Sequence, residues 1–189
     1  MNIIIFGPPG SGKGTQSEMI CTKFDLLHIS TGDILRDEIQ ENSLLGKDVK
    51  SIIESGKLVS DEIILEIVNA TILSEKDKFS GYLFDGFPRN INQVKLLATI
   101  LSNLRIELDI VLLIEVNQFI LLDRILNRKN TEGRVDDNRE TLSSRLQVYA
   151  SESEPIIKHY TSSNLLKKIN GEGEINEVNQ RINLVLEDL

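Results

Sequence analysis

A chain of 189 residues, 40% hydrophobic and with only four prolines, suits one folded α/β domain rather than a disordered chain. Its formal charge of −8 argues against a protein that coats nucleic acid through its overall field, so any phosphate site must be a local concentration of positive charge. No apolar run approaches the roughly 20 residues that span a bilayer. The N-terminus lacks the basic-then-apolar pattern of a secretory signal. A single cysteine, Cys21, leaves neither an intramolecular disulfide nor a cysteine zinc site, and reads as a small buried residue on an early helix. A cytoplasmic protein without membrane or nucleic-acid partners is expected.

In chain order, Asn2 to Phe6 is a β-branched and aromatic run that enters the turn Gly7-Pro8-Pro9-Gly10, and it predicts a short buried strand. Lys13 to Lys23 follows as helix. Leu26 to Ile29 is a second strand, Gly81 to Phe84 a third ending at Asp85, Asp109 to Val116 a fourth, and Leu165 to Ile169 a weaker fifth. Helical patterns cover Asp61 to Leu73, Ile91 to Leu101, Gln118 to Arg128, Asn138 to Tyr149 and Glu174 to Leu186. Strands alternating with helices predict a three-layer α/β/α fold around a five-stranded parallel sheet. Ser30 to Val59 has no strand pattern and reads as a mainly helical insert. A second, short insert occupies 127–137, where polar residues and Gly133 interrupt two helices. Both belong to a single domain over 1–189.

Gly7-Pro8-Pro9-Gly10-Ser11-Gly12-Lys13-Gly14-Thr15 has the Gly-x4-Gly-Lys spacing of a phosphate-binding loop set between a strand and a helix. Glycines let the backbone curl so that successive N–H groups point inward, and the following helix adds its positive end. Lys13 can then reach the β- and γ-phosphates of a nucleoside triphosphate. Gly14 stands where the general pattern has Ser or Thr, and Thr15 follows it. The loop predicts nucleotide binding but does not name a reaction.

Nine arginines, at 36, 89, 105, 124, 128, 134, 139, 145 and 181, are the next signal. Arg124 and Arg128 lie four apart on a predicted helix and share a face, where like charges repel unless solvent or an anion separates them. Arg134 lies in the Gly133 loop and Arg145 on the helix beyond it, with Asp136 and Asp137 reading as that helix's cap. The planar guanidinium fork binds phosphate oxygens bidentately and stays charged. Four arginines converging on a phosphate loop in an acidic protein suit phosphoryl transfer, in which catalysis is mostly positioning and charge stabilisation. No general base is needed, and His28 and His159 read as structural. Asp85, closing a buried strand, would face the crevice at the carboxyl edge of the sheet and meet Mg2+ through water.

With Gly-Lys-Gly-Thr, three further segments carry a resemblance: Ser30 to Arg36 (STGDILR), Asp85 to Arg89 (DGFPR) and Gly133 to Asp137 (GRVDD). The chain resembles the adenylate kinase family of nucleoside monophosphate kinases, in the family's order, at its approximate spacing and over essentially the whole length. The resemblance implies reversible phosphoryl transfer from Mg-ATP to AMP, giving two ADP, in a monomer with no structural zinc. It implies that Gly10, Ser11, Gly12, Lys13, Gly14, Thr15, Arg124, Arg128 and Gly173 serve ATP, and that 127–137 is a short lid. It makes Ser30 to Val59 the AMP-binding insert, with Thr31, Arg36, Lys57, Leu58, Val59, Gly86, Phe87, Pro88, Arg89, Gln93, Arg134 and Arg145 on AMP. Asp33 would join Asp85 in the metal's water network. Lys13, Arg89, Arg128, Arg134 and Arg145 would carry catalysis, with Arg134 and Arg145 clamping phosphates at the transfer point. Threonine at 31 and glutamine at 93 fall on the adenylate side of the family, whereas related uridylate and cytidylate kinases tend to have alanine and asparagine there. The rival readings are a UMP/CMP kinase of the same fold and a non-catalytic nucleotide-binding module; the guanine motif Asn-Lys-x-Asp of a GTPase switch is missing from the sequence.

Overall fold

A computed structural model describes residues 1–75, 78–132 and 139–189, with the side chains of 126–132 and 139–140 left out of the description. Strand β1 (Asn2–Phe6) feeds helix α1 (Lys13–Phe24), and β2 (Leu26–Ser30) is followed by α2 (Thr31–Gln40), α3 (Leu44–Glu54) and α4 (Asp61–Ser74). Then come β3 (Gly81–Asp85), α5 (Ile91–Leu104), β4 (Ile110–Glu115), α6 (Gln118–Glu132), α7 (Arg139–Ser162), β5 (Leu166–Asn170) and α8 (Ile175–Leu186). The five strands lie in the order β2-β3-β1-β4-β5, and every neighbouring pair is parallel.

Why the strands are apolar throughout is visible in β1. Ile4 and Phe6 enter one core with Phe84, Val111 and Leu113, where Leu35, Val68, Leu97, Ile156 and Tyr160 of α2, α4, α5 and α7 cover the sheet. Ile3 and Ile5 point the other way and pack with Leu83, Leu112 and Ile114 under Ile20 of α1 and Val178, Ile182 and Leu186 of α8. Side chains alternate across a strand, so a sheet covered on both faces needs apolar residues at consecutive positions. Each such buried side chain contributes about 1.5–3 kcal/mol.

Short polar caps set where the helices begin. Ser30 Oγ accepts the Asp33 N–H at 3.3 Å, Ser43 Oγ accepts that of Gly46 at 2.9 Å, and Asn90 Oδ1 accepts that of Gln93 at 2.8 Å. Each satisfies a backbone donor left over at a helix start. Gly46 is required by close packing: a Cβ there would stand 2.1 Å from the Glu38 carbonyl oxygen of α2. Gly46→Ala is therefore expected to destabilise the fold by about 2 kcal/mol through overpacking against backbone, checked by urea denaturation with an unchanged m-value.

The elements depart from the sequence expectation at two places. Helix α7 runs from Arg139 to Ser162 instead of stopping near Tyr149, and it carries Pro155 in its interior. Ile156 and Tyr160 beyond the proline are 1% and 4% exposed, so burial of that segment outweighs the hydrogen bond the proline removes. Helix α6 continues to Glu132, which makes 127–132 of the second insert helical. The cap expected at Asp136 and Asp137 lies outside the described residues. Among the described residues no helix is long and apolar enough to cross a membrane.

Candidate active site

The strand order places β1 between β3 and β4, so the chain leaves β1 on one side of the sheet and returns on the other. The crevice at such a switch point, beyond the carboxyl ends of the strands, is where ligands bind in open α/β sheets. The Gly7–Lys13 loop leaves β1 at that crevice. Gly10 and Gly12 have φ of +82° and +91°, a region that side-chain-bearing residues avoid. A Cβ on Gly10 would also stand 2.8 Å from Ile125 Cγ1, so the loop is packed against α6. Ser11 is buried, and Lys13 Nζ donates to the Gly7 carbonyl at 2.7 Å and to that of Pro8 at 2.9 Å. The ammonium is thereby drawn over the loop whose N–H groups form the anion cradle.

A cavity of about 630 Å³ extends from this loop across the sheet edge. Lys13, Gly14, Thr15, Arg124 and Gly173 line one part of it; Asp33, Arg36, Gly86, Pro88 and Arg89 line another; and Arg145 of α7 is on its wall. Arg124, on α6, donates from Nη2 to the Gly171 carbonyl at 3.0 Å and the Gly173 carbonyl at 3.3 Å. It joins the loop after β5 to the phosphate loop. Arg128 lies one turn further along α6, its side chain outside the described residues, as is the whole of Arg134.

Asp85, at the end of β3, is 7% exposed and lines the cavity. Its Oδ2 would lie 4.0 Å from a Cβ built on Gly14, 3.4 Å from His28 Nε2 and 3.5 Å from Ser17 Oγ. Glycine at 14 thus leaves space between the loop and this carboxylate. Cys21 nearby has its thiol pushed up to about 12, first by burial and then by the Asp85 charge, and is an inert packing residue. Asp33 pairs with Arg36 one helical turn later. Asp85 and Asp33 both line the cavity, and carboxylate oxygens are hard donors of the kind that suit Mg2+ held through water.

A smaller recess of about 60 Å³ opens beside Arg89 and is lined by Thr31, Arg36, Lys57, Leu58, Val59, Gln93 and Arg145 among others. Thr31 and Gln93 are each 1% exposed. The Thr31 hydroxyl donates to the Gly86 carbonyl at 3.0 Å, and Arg89 Nε donates to the same oxygen at 2.6 Å. Phe87 is buried beneath this turn at 1% exposure. Of the sequence-predicted site residues with described side chains, all but Phe87 line these two cavities, one set around Lys13 and one around Arg89; Phe87, expected on AMP, belongs to the core.

A family model described as adenylate kinase matches residues 5–165. The chain belongs to the adenylate kinase family. It is 43% identical over 180 residues to an adenylate kinase of Prochlorococcus marinus, covering 95% of each chain. It is similarly 43% identical over 182 residues to an adenylate kinase of Parabacteroides distasonis, covering 96% of this chain and 95% of that one. An adenylate kinase of a Synechococcus species is 40% identical over 184 residues, 97% of each. Adenylate kinases are nucleoside monophosphate kinases, so this family membership agrees with a cavity built from a phosphate loop and a facing set of arginines. Sequence reasoning missed Ser17 and His28 beside Asp85. It also passed over Asp61, whose carboxylate accepts hydrogen bonds from Asn90, Asn92 and Gln93. Nothing in their spacing marks them, because each contact is made between segments far apart in the chain.

Proposed function

We propose that this protein catalyses Mg-ATP + AMP ⇌ 2 ADP by direct in-line transfer, with no phosphorylated protein intermediate. The observation that carries this reading is a single cavity bordered by the Lys13 loop at one part and by Arg36 and Arg89 at another. A hydrolase or a binding module needs the first set; only a transfer between two nucleotides needs both. ATP would take the loop from Gly10 to Thr15, with Arg124 and Gly173 near its base and Arg128 on its phosphates. AMP would take the smaller recess, its α-phosphate on Arg89 and Arg36, its base between Thr31, Gln93 and the Lys57-Leu58-Val59 wall. Asp85 and Asp33 would hold the metal of Mg-ATP through water, and that ion offsets phosphate charge. Arg134 and Arg145 complete the clamp at the transfer point.

No residue in this scheme needs to accept a proton. The chain's contribution is to place two polyphosphates in line and to supply fixed positive charge where negative charge gathers. The inserts at 30–59 and 127–137 would close over the nucleotides and exclude water, which otherwise accepts the phosphoryl group. A cytoplasmic monomer belongs to the same proposal.

A panel of nucleoside monophosphates with ATP as donor tests the reading: AMP is the expected acceptor, and preference for UMP or CMP would overturn it. Rapid-quench single turnover with γ-labelled ATP is expected to show label passing to ADP without a labelled protein. Thr31→Ala should lower kcat/KM for AMP and raise that for UMP and CMP relative to it by about tenfold, the scale of one lost or mismatched hydrogen bond. Initial rates with the same panel check it.

A further inference from the structure

The Gln93 side chain is anchored at both ends. Its Oε1 accepts the Arg89 backbone N–H at 2.7 Å, and its Nε2 donates to Asp61 Oδ1 at 2.8 Å. The chemistry of the two partners leaves one orientation of the amide. A backbone N–H can only donate and an ionised carboxylate can only accept, so a flipped amide would face both with the wrong atom. Asp61 is itself held. Its Oδ1 also accepts from Asn90 Nδ2 at 3.0 Å, and its Oδ2 accepts from Asn92 Nδ2 at 2.5 Å. Partial burial alone would raise the Asp61 pKa, but the hydrogen bonds from Asn92, Asn90 and Gln93 outweigh it and hold the group below its ordinary value. It is therefore an acceptor throughout the neutral range.

We propose that Asp61 is a specificity-determining positioning residue: by fixing the orientation of the Gln93 amide, it selects a 6-aminopurine over a 6-oxopurine as the base of the acceptor nucleotide. The inference rests on the reading that Gln93, which lines the recess, meets that base. With one lone pair and one N–H already committed, the amide retains one acceptor and one donor for a ligand. Adenine offers a donor at its 6-amino group and an acceptor at N1, which that pair can satisfy together. Hypoxanthine and guanine offer the reverse, an acceptor at O6 and a donor at N1. A freely rotating amide would serve either edge by turning over; an amide held at both ends serves one. Asp61 lies at the first position of α4, whereas Gln93 lies in the first turn of α5. The lock is thus made between two helices, and the ligand need not touch Asp61 for it to act.

The test is initial-rate kinetics of Asp61→Asn with AMP and IMP as acceptors and saturating Mg-ATP. Asparagine has the same shape, but its amide can donate as well as accept, so one of the two anchors no longer forbids the flip. The ratio of kcat/KM for IMP to that for AMP is expected to rise about tenfold, the scale of one charge-assisted hydrogen bond. The KM for AMP should rise while kcat stays within about threefold. An unchanged ratio, or a loss equal for both bases, would overturn the proposal, since a merely structural role weakens both alike. If Asp61→Asn does not fold, Asp61→Ser removes the carboxylate while Ser60 still caps α4, and is judged by the same ratio. Gln93→Leu separates the two levels of the argument. Base preference unchanged in Gln93→Leu would remove the underlying reading of the recess; preference altered there but not in the Asp61 variants would remove the lock alone.

Discussion

Replacing Lys13 with methionine is expected to lower kcat by about 1,000-fold, roughly 4 kcal/mol of transition-state stabilisation, while the fold stays intact. Methionine keeps most of the length of the side chain and loses the ammonium. What depends on that charge is local. Lys13 sits at the first position of α1, and its Nζ is drawn towards the Gly7 and Pro8 carbonyls at 2.7 and 2.9 Å. The loop's shape rests on other features: Gly10 and Gly12 at positive φ and the contact with Ile125. Losing the lysine bonds should therefore cost only about 1 kcal/mol each in stability. A coupled ADP assay beside a thermal melt separates the outcomes. Turnover within tenfold of the parent would mean that Lys13 does not touch the transferred group.

How much of this was legible in the sequence depends on the range of each interaction. β1 is a continuous apolar run ended by glycines, and both its burial on two faces and the phosphate loop after it follow from adjacent residues. The parallel order of five strands follows from the alternation of strand and helix patterns. Helix α7 shows the limit: Pro155 disfavours helix locally, and only the burial of Ile156 and Tyr160 against the sheet carries the helix on to Ser162. Individual residues of the site divide in the same way. Lys13 and Arg89 stand in local motifs, and Gln93 is singled out only by the family resemblance. Ser17 and His28 reach Asp85 only because α1 and β2 flank the end of β3, where Ser30 is registered with Asp85. Asp61 meets Asn90 and Gln93 across 29 and 32 residues, by the packing of α4 on α5. Position in sequence says nothing about such a contact until the helices are placed.

Arg89 gives the second large effect, and the informative variant is the conservative one. Arg89→Lys keeps the positive charge, yet kcat/KM for AMP is expected to fall about 100-fold, with KM for ATP changed less than about threefold. The reason lies in how the side chain is held. Its Nε donates at 2.6 Å to the Gly86 carbonyl, an oxygen that also accepts from Thr31. This bond fixes the guanidinium plane at the junction of the large cavity and the small recess, both of which Arg89 lines. Lysine has no equivalent of Nε: its three donors share one nitrogen, so a bond to Gly86 pins the same atom that must face the phosphate, and it has no pair of parallel N–H groups to match two oxygens in one plane. Misplacement of the acceptor by about 1 Å is enough for a 100-fold loss when the reaction depends on in-line approach. The effect should fall on AMP and spare ATP, because ATP is assigned to the loop around Lys13, outside the recess. Steady-state kinetics with each nucleotide varied in turn will show it. An equal loss against both nucleotides would place Arg89 at the shared phosphates instead of the acceptor, and retention of activity would show that charge alone suffices there.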